Sequence, residues 1–357
     1  MAENNAVVDM PKLETFIGGV VGDLGAASAA ALVVVGDRLG LYKAMEDGTP
    51  RSAAEVATLA HCNERYVLEW LNSQAAGGYV MYDKMTGKFS LPAEQAFALA
   101  NELGPASVVG AFQVVQAIWD AIPKMIENFK SGEGLEWGKQ HPCLFEGTER
   151  FFRSGYVANL MSSWIPALDG VQAKLENGAR VADVGCGLGA STILMAKAFP
   201  KSKFYGFDYH DLSIATAKQR AKDAGVSDQV TFAVAKSTDF PGNDYDLIAH
   251  FDCLHDMEDP SGAARHARKA MAKDGTWMVV EPFASDKPED NHNPVGRLFY
   301  SASTMLCVPH SLAHQGPALG AQAGEARLRK VIVEDGGFTK FRRATQTPFN
   351  LVLEARP

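Results

Sequence analysis

The stretch "RVADVGCGLGAST" (residues 180–192) decides the fold. An apolar run carries Asp183 near its end, three glycines follow at alternate positions (Gly185, Gly187 and Gly189), and helix-forming residues take over from Ala190. This reads as strand, turn and helix, and glycines in such a turn supply positive φ and let the backbone approach a ligand closely.

Working outward, strand-like and helical runs alternate: "KFYGFD", a helix over 212–224, "QVTFAV", "DYDLIAHF", a helix over 261–272, and "TWMVVE". Repeated βα units build a parallel sheet with right-handed crossovers, so a Rossmann-like α/β domain is expected over residues 179–357. A long segment, 283–322, interrupts it before the helix "EARLRKVIVEDG". The chain closes on "FTKFRRATQ" and "PFNLVLEAR", joined by a link too short for a parallel crossover. The final strand is therefore expected to pair antiparallel.

Upstream, residues 23–46 read as a long apolar helix. Ser52 is placed to cap a helix over 53–59, a second helix follows the turn "AHCNE", and "GYVMYD" and "KFSLP" suit a hairpin. Helix, helix and hairpin make a winged-helix pattern over residues 1–100, read as a dimerisation domain. Residues 101–178 read as a helical, aromatic-rich linker contributing to a substrate pocket, with Pro123 ending or kinking one of its helices.

Charge narrows the partners. The 357-residue chain carries a formal charge of −8, and its first hundred residues hold seven Lys/Arg against twelve Asp/Glu. The would-be recognition helix carries Glu64, Arg65 and Glu69, which would repel phosphates, so nucleic acid is not expected as a partner. The five cysteines are scattered without zinc-ligand spacing, which implies a reducing compartment and no metal. "MAENNAVVDMPK" lacks the pattern of a signal peptide, and the apolar run at 26–36 is too short to span a bilayer. A cytoplasmic protein with no membrane partner is expected.

The glycine spacing is GxGxG, not the GxGxxG of a dinucleotide turn, and Asp183 precedes it. A carboxylate there repels a pyrophosphate and suits a ligand bearing an ammonium and a nucleoside. At these residues the chain resembles the class I S-adenosylmethionine-dependent methyltransferases, whose first motif has the form D/E-x-G-x-G-x-G. The resemblance implies a seven-stranded sheet with S-adenosyl-L-methionine held by Asp183, Gly185, Cys186, Gly187 and Gly189. Asp208, 19 residues beyond Gly189 at the end of "FYGFD", matches the ribose-binding acid, with Tyr209, Ser237 and Phe251 beside the cofactor. Lys236 departs from the pattern by standing where an adenine-binding acid is often found.

"CLHDMEDP" sets His255 and Asp256 just after the fourth strand of the repeat, and a histidine there can take a phenolic or carboxylic proton. With the winged-helix module, this dipeptide resembles the plant-type small-molecule O-methyltransferases. That comparison implies His255 as general base, Asp256 beside it, and Glu281 as the acid steadying it. Tyr156, Trp164, Tyr300 and His310 are expected to line an acceptor pocket, and the enzyme to be a homodimer. Two alternatives remain open from sequence: S- or N-methylation by proximity without a base, and a winged-helix regulator that only senses the cofactor.

Overall fold

The computed structural model describes residues 8–357, so the first seven residues of the leader expectation lie outside the described part. The chain divides into two compact units, one ending at Val115 and the other spanning Gln116–Pro357.

The first unit opens with helix α1 (Met10–Arg38), capped by Asp9, whose carboxylate accepts from the Lys12 backbone N–H. The helix begins 13 residues before the expected start. The added stretch carries Gly18, Gly19 and Gly22, each costing about 1 kcal/mol in a helix interior, yet the helix runs through them. This corrects the reading of the apolar run as 26–36. The 29-residue α1, with mean hydropathy 1.8 over an 18-residue window, is long and apolar enough to cross a membrane by length and composition. Only 6% of that window is buried.

Helix α2 (Ala53–Leu59) starts at the capping box of Ser52 and Glu55, each side chain meeting the other's backbone N–H. Helix α3 (Glu64–Ala76) starts at Asn63. The hairpin of β1 (Met81–Asp83) and β2 (Lys88–Ser90) completes the winged helix, turning at Gly87 with φ 68°. Val33, Tyr42, Trp70, Leu71 and Phe89 share its core.

The second unit is built on seven strands: β3 (Arg180–Val184), β4 (Lys203–Asp208), β5 (Val230–Val234), β6 (Tyr245–Phe251), β7 (Met271–Pro282), β8 (Lys340–Gln346) and β9 (Asn350–Arg356). Their order is β5-β4-β3-β6-β7-β9-β8, with β9 antiparallel to both neighbours and the other pairings parallel. The strand order reverses between β3 and β6, which puts the glycine turn at the switch point where such sheets bind ligands. Because side chains alternate along a strand, Val181 joins one core and Ala182 the other, as do Met278 and Trp277. Both faces of the sheet are thus buried under helices.

Candidate functional site

The glycine turn takes the shape its composition allows. Gly185, Gly187 and Gly189 have φ of 76°, 51° and 83°. A Cβ on Gly185 would stand 2.7 Å from Cys253 Sγ, and one on Gly189 2.7 Å from the Phe232 ring, whereas one on Gly187 would meet nothing within 4 Å. The first and third glycines are therefore required by packing, and the middle one faces open space. The backbone N–H groups of Gly185 and Cys186 both donate to the Phe207 carbonyl, which pins the turn to β4.

Two carboxylates frame this turn. Asp183 is buried, with Oδ2 accepting from the hydroxyls of Ser191 and Thr192 at 2.6 Å each, while Oδ1 is buried without a partner. Burial raises its pKa to about 6, against the lowering effect of those two hydroxyls. Asp208 accepts from the backbone of Gly187 at 2.9 Å and of His210 at 2.9 Å, and burial raises its pKa too. Tyr209, partly exposed, stacks on His310 at 5.8 Å. Ser237 is half-buried, and Lys236 is engaged with Glu258 at 2.8 Å.

Beyond β6 the chain passes through Asp252, at φ 52°, into the short 3-10 turn Leu254–Asp256. A non-glycine residue in that conformation is uncommon and clusters at functional sites. Its buried carboxyl is held by Asn350 at 2.8 Å and by the Tyr156 hydroxyl at 3.4 Å, and burial pushes its pKa up strongly. Phe251 packs on Tyr156, and the fully buried Trp164 meets Tyr156 edge-on.

The fold brings His255 and Glu281 together. Glu281, at the end of β7, receives His255 Nδ1 on one oxygen and the Leu254 backbone N–H on the other, the latter at 2.8 Å. Both side chains are buried. A carboxylate at Nδ1 fixes the proton there and turns Nε2 outward. Burial alone would lower the histidine's pKa, but the Glu281 charge and Cys307 outweigh it and hold the imidazole above its usual value. Asp256 lies alongside, its pKa raised by burial to about 7.

The 283–322 segment supplies the remaining wall. A π-helical turn, Ser303–Cys307, leads into the helix Val308–Ala313 and sets Cys307 Sγ 3.3 Å from His255 Nε2. His310 is buried and lowered to about 4, chiefly by burial, and accepts at Nδ1 from the Trp137 backbone N–H. Tyr300 lies on the helix Pro294–Ala302 and is exposed. Sequence reasoning missed Asp252 and Cys307. The first was legible only as a neighbour of His255, and the second lies 52 residues from it, so no spacing could show the contact.

Comparison with known proteins gives the family context. A methyltransferase domain family matches residues 175–330, and a winged helix-turn-helix domain family described as Rv2258c-like matches residues 27–101. Sterol 24-C-methyltransferase of Saccharomyces cerevisiae is 30% identical over 128 residues, 35% of this chain and 33% of that protein. The chain thus spans a third to a half of the first curated relatives it matches. Over nearly the whole chain the fold is similar to human N-acetylserotonin methyltransferase solved with S-adenosylmethionine, with TM-score 0.70 and 15% identity over 99% of each chain. It is also similar to mitomycin 7-O-methyltransferase, with TM-score 0.69 and 17% identity over 98% of this chain and 100% of the other.

Proposed function

We propose, from the premise that this chain belongs to the class I S-adenosylmethionine-dependent methyltransferases through its residues 175–330, that it methylates an oxygen of a small organic acceptor with His255 as the base. One observation carries the choice of oxygen: a buried histidine at the ligand-binding end of the sheet has its Nδ1 held by a buried glutamate, which leaves Nε2, in contact with the Cys307 thiol, as the basic atom.

The crevice suits the cofactor. Asp183 offers a buried carboxylate oxygen without a partner, the counterpart of a ligand's ammonium or of a water bound to it. Gly187 leaves space for close approach, and Asp208 retains lone pairs for ribose hydroxyls. Asp183 and Asp208, which frame the turn, disfavour a pyrophosphate, and a bound cation would in turn favour their ionised forms. When bound, S-adenosylmethionine supplies a methyl group on a sulfonium, ready for in-line displacement.

What remains for the protein is placement and the proton. Tyr156 and Phe251 give the pocket an aromatic wall, while Tyr209 and His310 stack at its rim, and such surfaces orient a ring. His255 takes the acceptor's proton on Nε2 as the oxygen is methylated, and Glu281 stabilises the imidazolium that results. Such general-base help is worth roughly 10²- to 10⁴-fold. Cys307 lies on the path to Nε2, so a productive acceptor displaces the thiol from that contact.

The winged helix serves as a dimerisation domain. Phe16, Ile17, Val21 and Leu24 of α1 are exposed, an apolar surface of the kind that a second copy covers. The acidic α3, with Arg65 paired to Glu69, supports this role over DNA binding.

The test of the base is His255→Ala assayed against a panel of phenolic and carboxylic acceptors. A loss of two orders of magnitude or more in turnover, with S-adenosylmethionine affinity retained, supports the reading. Full turnover in the variant shifts it to an acceptor methylated by proximity alone, at nitrogen or sulfur.

A further inference from the structure

The geometry points to a second use of the same histidine: His255, Asp256 and Cys307 form a site for a thiophilic divalent cation of the Zn²⁺ class. One nitrogen, one carboxylate oxygen and one sulfur from these residues lie within 4.8 Å of one another, and His255 and Cys307 are buried. Tetrahedral zinc at about 2.0–2.1 Å from nitrogen and about 2.3 Å from sulfur separates those two ligand atoms by roughly 3.6 Å. His255 Nε2 and Cys307 Sγ already stand 3.3 Å apart. The Asp256 carboxylate, within 4.8 Å of both, would supply the oxygen ligand.

A second observation favours a metal over an incidental thiol contact. Glu281 holds the Nδ1 side of the imidazole and aims Nε2 at the cluster, the carboxylate–histidine–metal arrangement that orients ligating histidines. Three protein ligands leave the fourth tetrahedral position open, as in catalytic rather than structural zinc sites. On binding, the thiol proton of Cys307 and any proton on Asp256 or on His255 Nε2 leave to solvent, and the thiolate, the carboxylate and Nε2 each donate a lone pair to the cation. No redox change occurs. The loaded protein then has no free Nε2, so a bound cation and proton abstraction by His255 exclude each other.

The test is Zn²⁺ binding to the full-length, reduced, cofactor-free protein, read by competition with a chromophoric chelator and paired with Co²⁺ absorption. We expect one equivalent in the wild type, a thiolate-to-cobalt charge-transfer band, and a loss of tenfold or more in affinity for both Cys307→Ser and Asp256→Asn. Glu281→Gln should weaken binding about 10- to 100-fold. The control is Cys143→Ser, because Cys143 Sγ lies 2.9 Å from His141 Nδ1 and is the rival thiol–imidazole pair. Binding unchanged in Cys307→Ser, binding lost in Cys143→Ser, or no binding by the folded wild type overturns the site. Because the readout is metal affinity, it is independent of whether the chain methylates an oxygen.

Discussion

Replacing Glu281 by Gln isolates the role of the buried carboxylate with almost no change in volume. Its two oxygens accept from different donors, the Leu254 backbone N–H at 2.8 Å and His255 Nδ1. Glutamine has one carbonyl to offer. If that carbonyl keeps Leu254, the amide NH₂ faces Nδ1 and drives the imidazole proton to Nε2, the tautomer that cannot accept a proton from an acceptor. If it keeps the histidine instead, the NH₂ meets the Leu254 N–H, and an unpaired buried donor costs about 1–3 kcal/mol. The first arrangement is favoured, so turnover should fall by roughly 10²- to 10⁴-fold, the range seen when a base is lost or its tautomer reversed. Loss of the charge also removes the largest influence opposing burial at His255 and leaves Cys307 to oppose it. The direction is visible at His250, buried without a carboxylate at its ring and lowered to about 3. Steady-state kinetics with an accepted substrate should show the fall in kcat with KM nearly unchanged, and NMR titration should place His255 below its ordinary value. A variant that keeps its rate within a few-fold, or loses only in KM, refutes the assignment of the pair.

Further outcomes follow from the structure. Asp183 has its pKa raised to about 6, so it is ionised above that pH and neutral below it; affinity for S-adenosylmethionine should fall as pH drops through 6, measured by calorimetry. The sign for folding is opposite: the native state holds this proton more tightly than an unfolded aspartate of about 3.9, so Asp183 adds stability to the cofactor-free protein as pH falls across that interval. Gly185→Ala forces a Cβ to 2.7 Å from Cys253 Sγ at φ 76°, and should lower the melting temperature and weaken cofactor binding more than tenfold. Ile17→Glu on the exposed face of α1 should convert a dimer to a monomer in light scattering; an unchanged mass, or a wild type that sediments with vesicles, counts against the dimer surface.

The sheet and its glycine turn were legible because their determinants are local. Alternating βα texture, a glycine triplet needing positive φ and a two-strand ending with a short link each constrain topology within a few tens of residues. Asp183, Asp208 and His255 were legible for the same reason, sitting at strand ends that the turn defines. The start of α1 was not: the helix extends before residue 23 through Gly18, Gly19 and Gly22, residues of poor intrinsic helix propensity. Cys307 escaped for a different reason: its contact with His255 is made by the folding back of a long insertion, and nothing in the interval between them encodes that distance. Asp252 was visible as a letter, but its strained backbone and its ties to Asn350 and Tyr156 exist only in three dimensions.

Isothermal titration of the wild type and of Asp208→Asn with S-adenosylhomocysteine and with NAD weighs the nucleoside crevice most directly. Single-site heat with the sulfur nucleoside, a marked loss in the variant and no heat with the dinucleotide are the expected results. Heat with NAD alone would mean that the acidic turn receives a pyrophosphate after all.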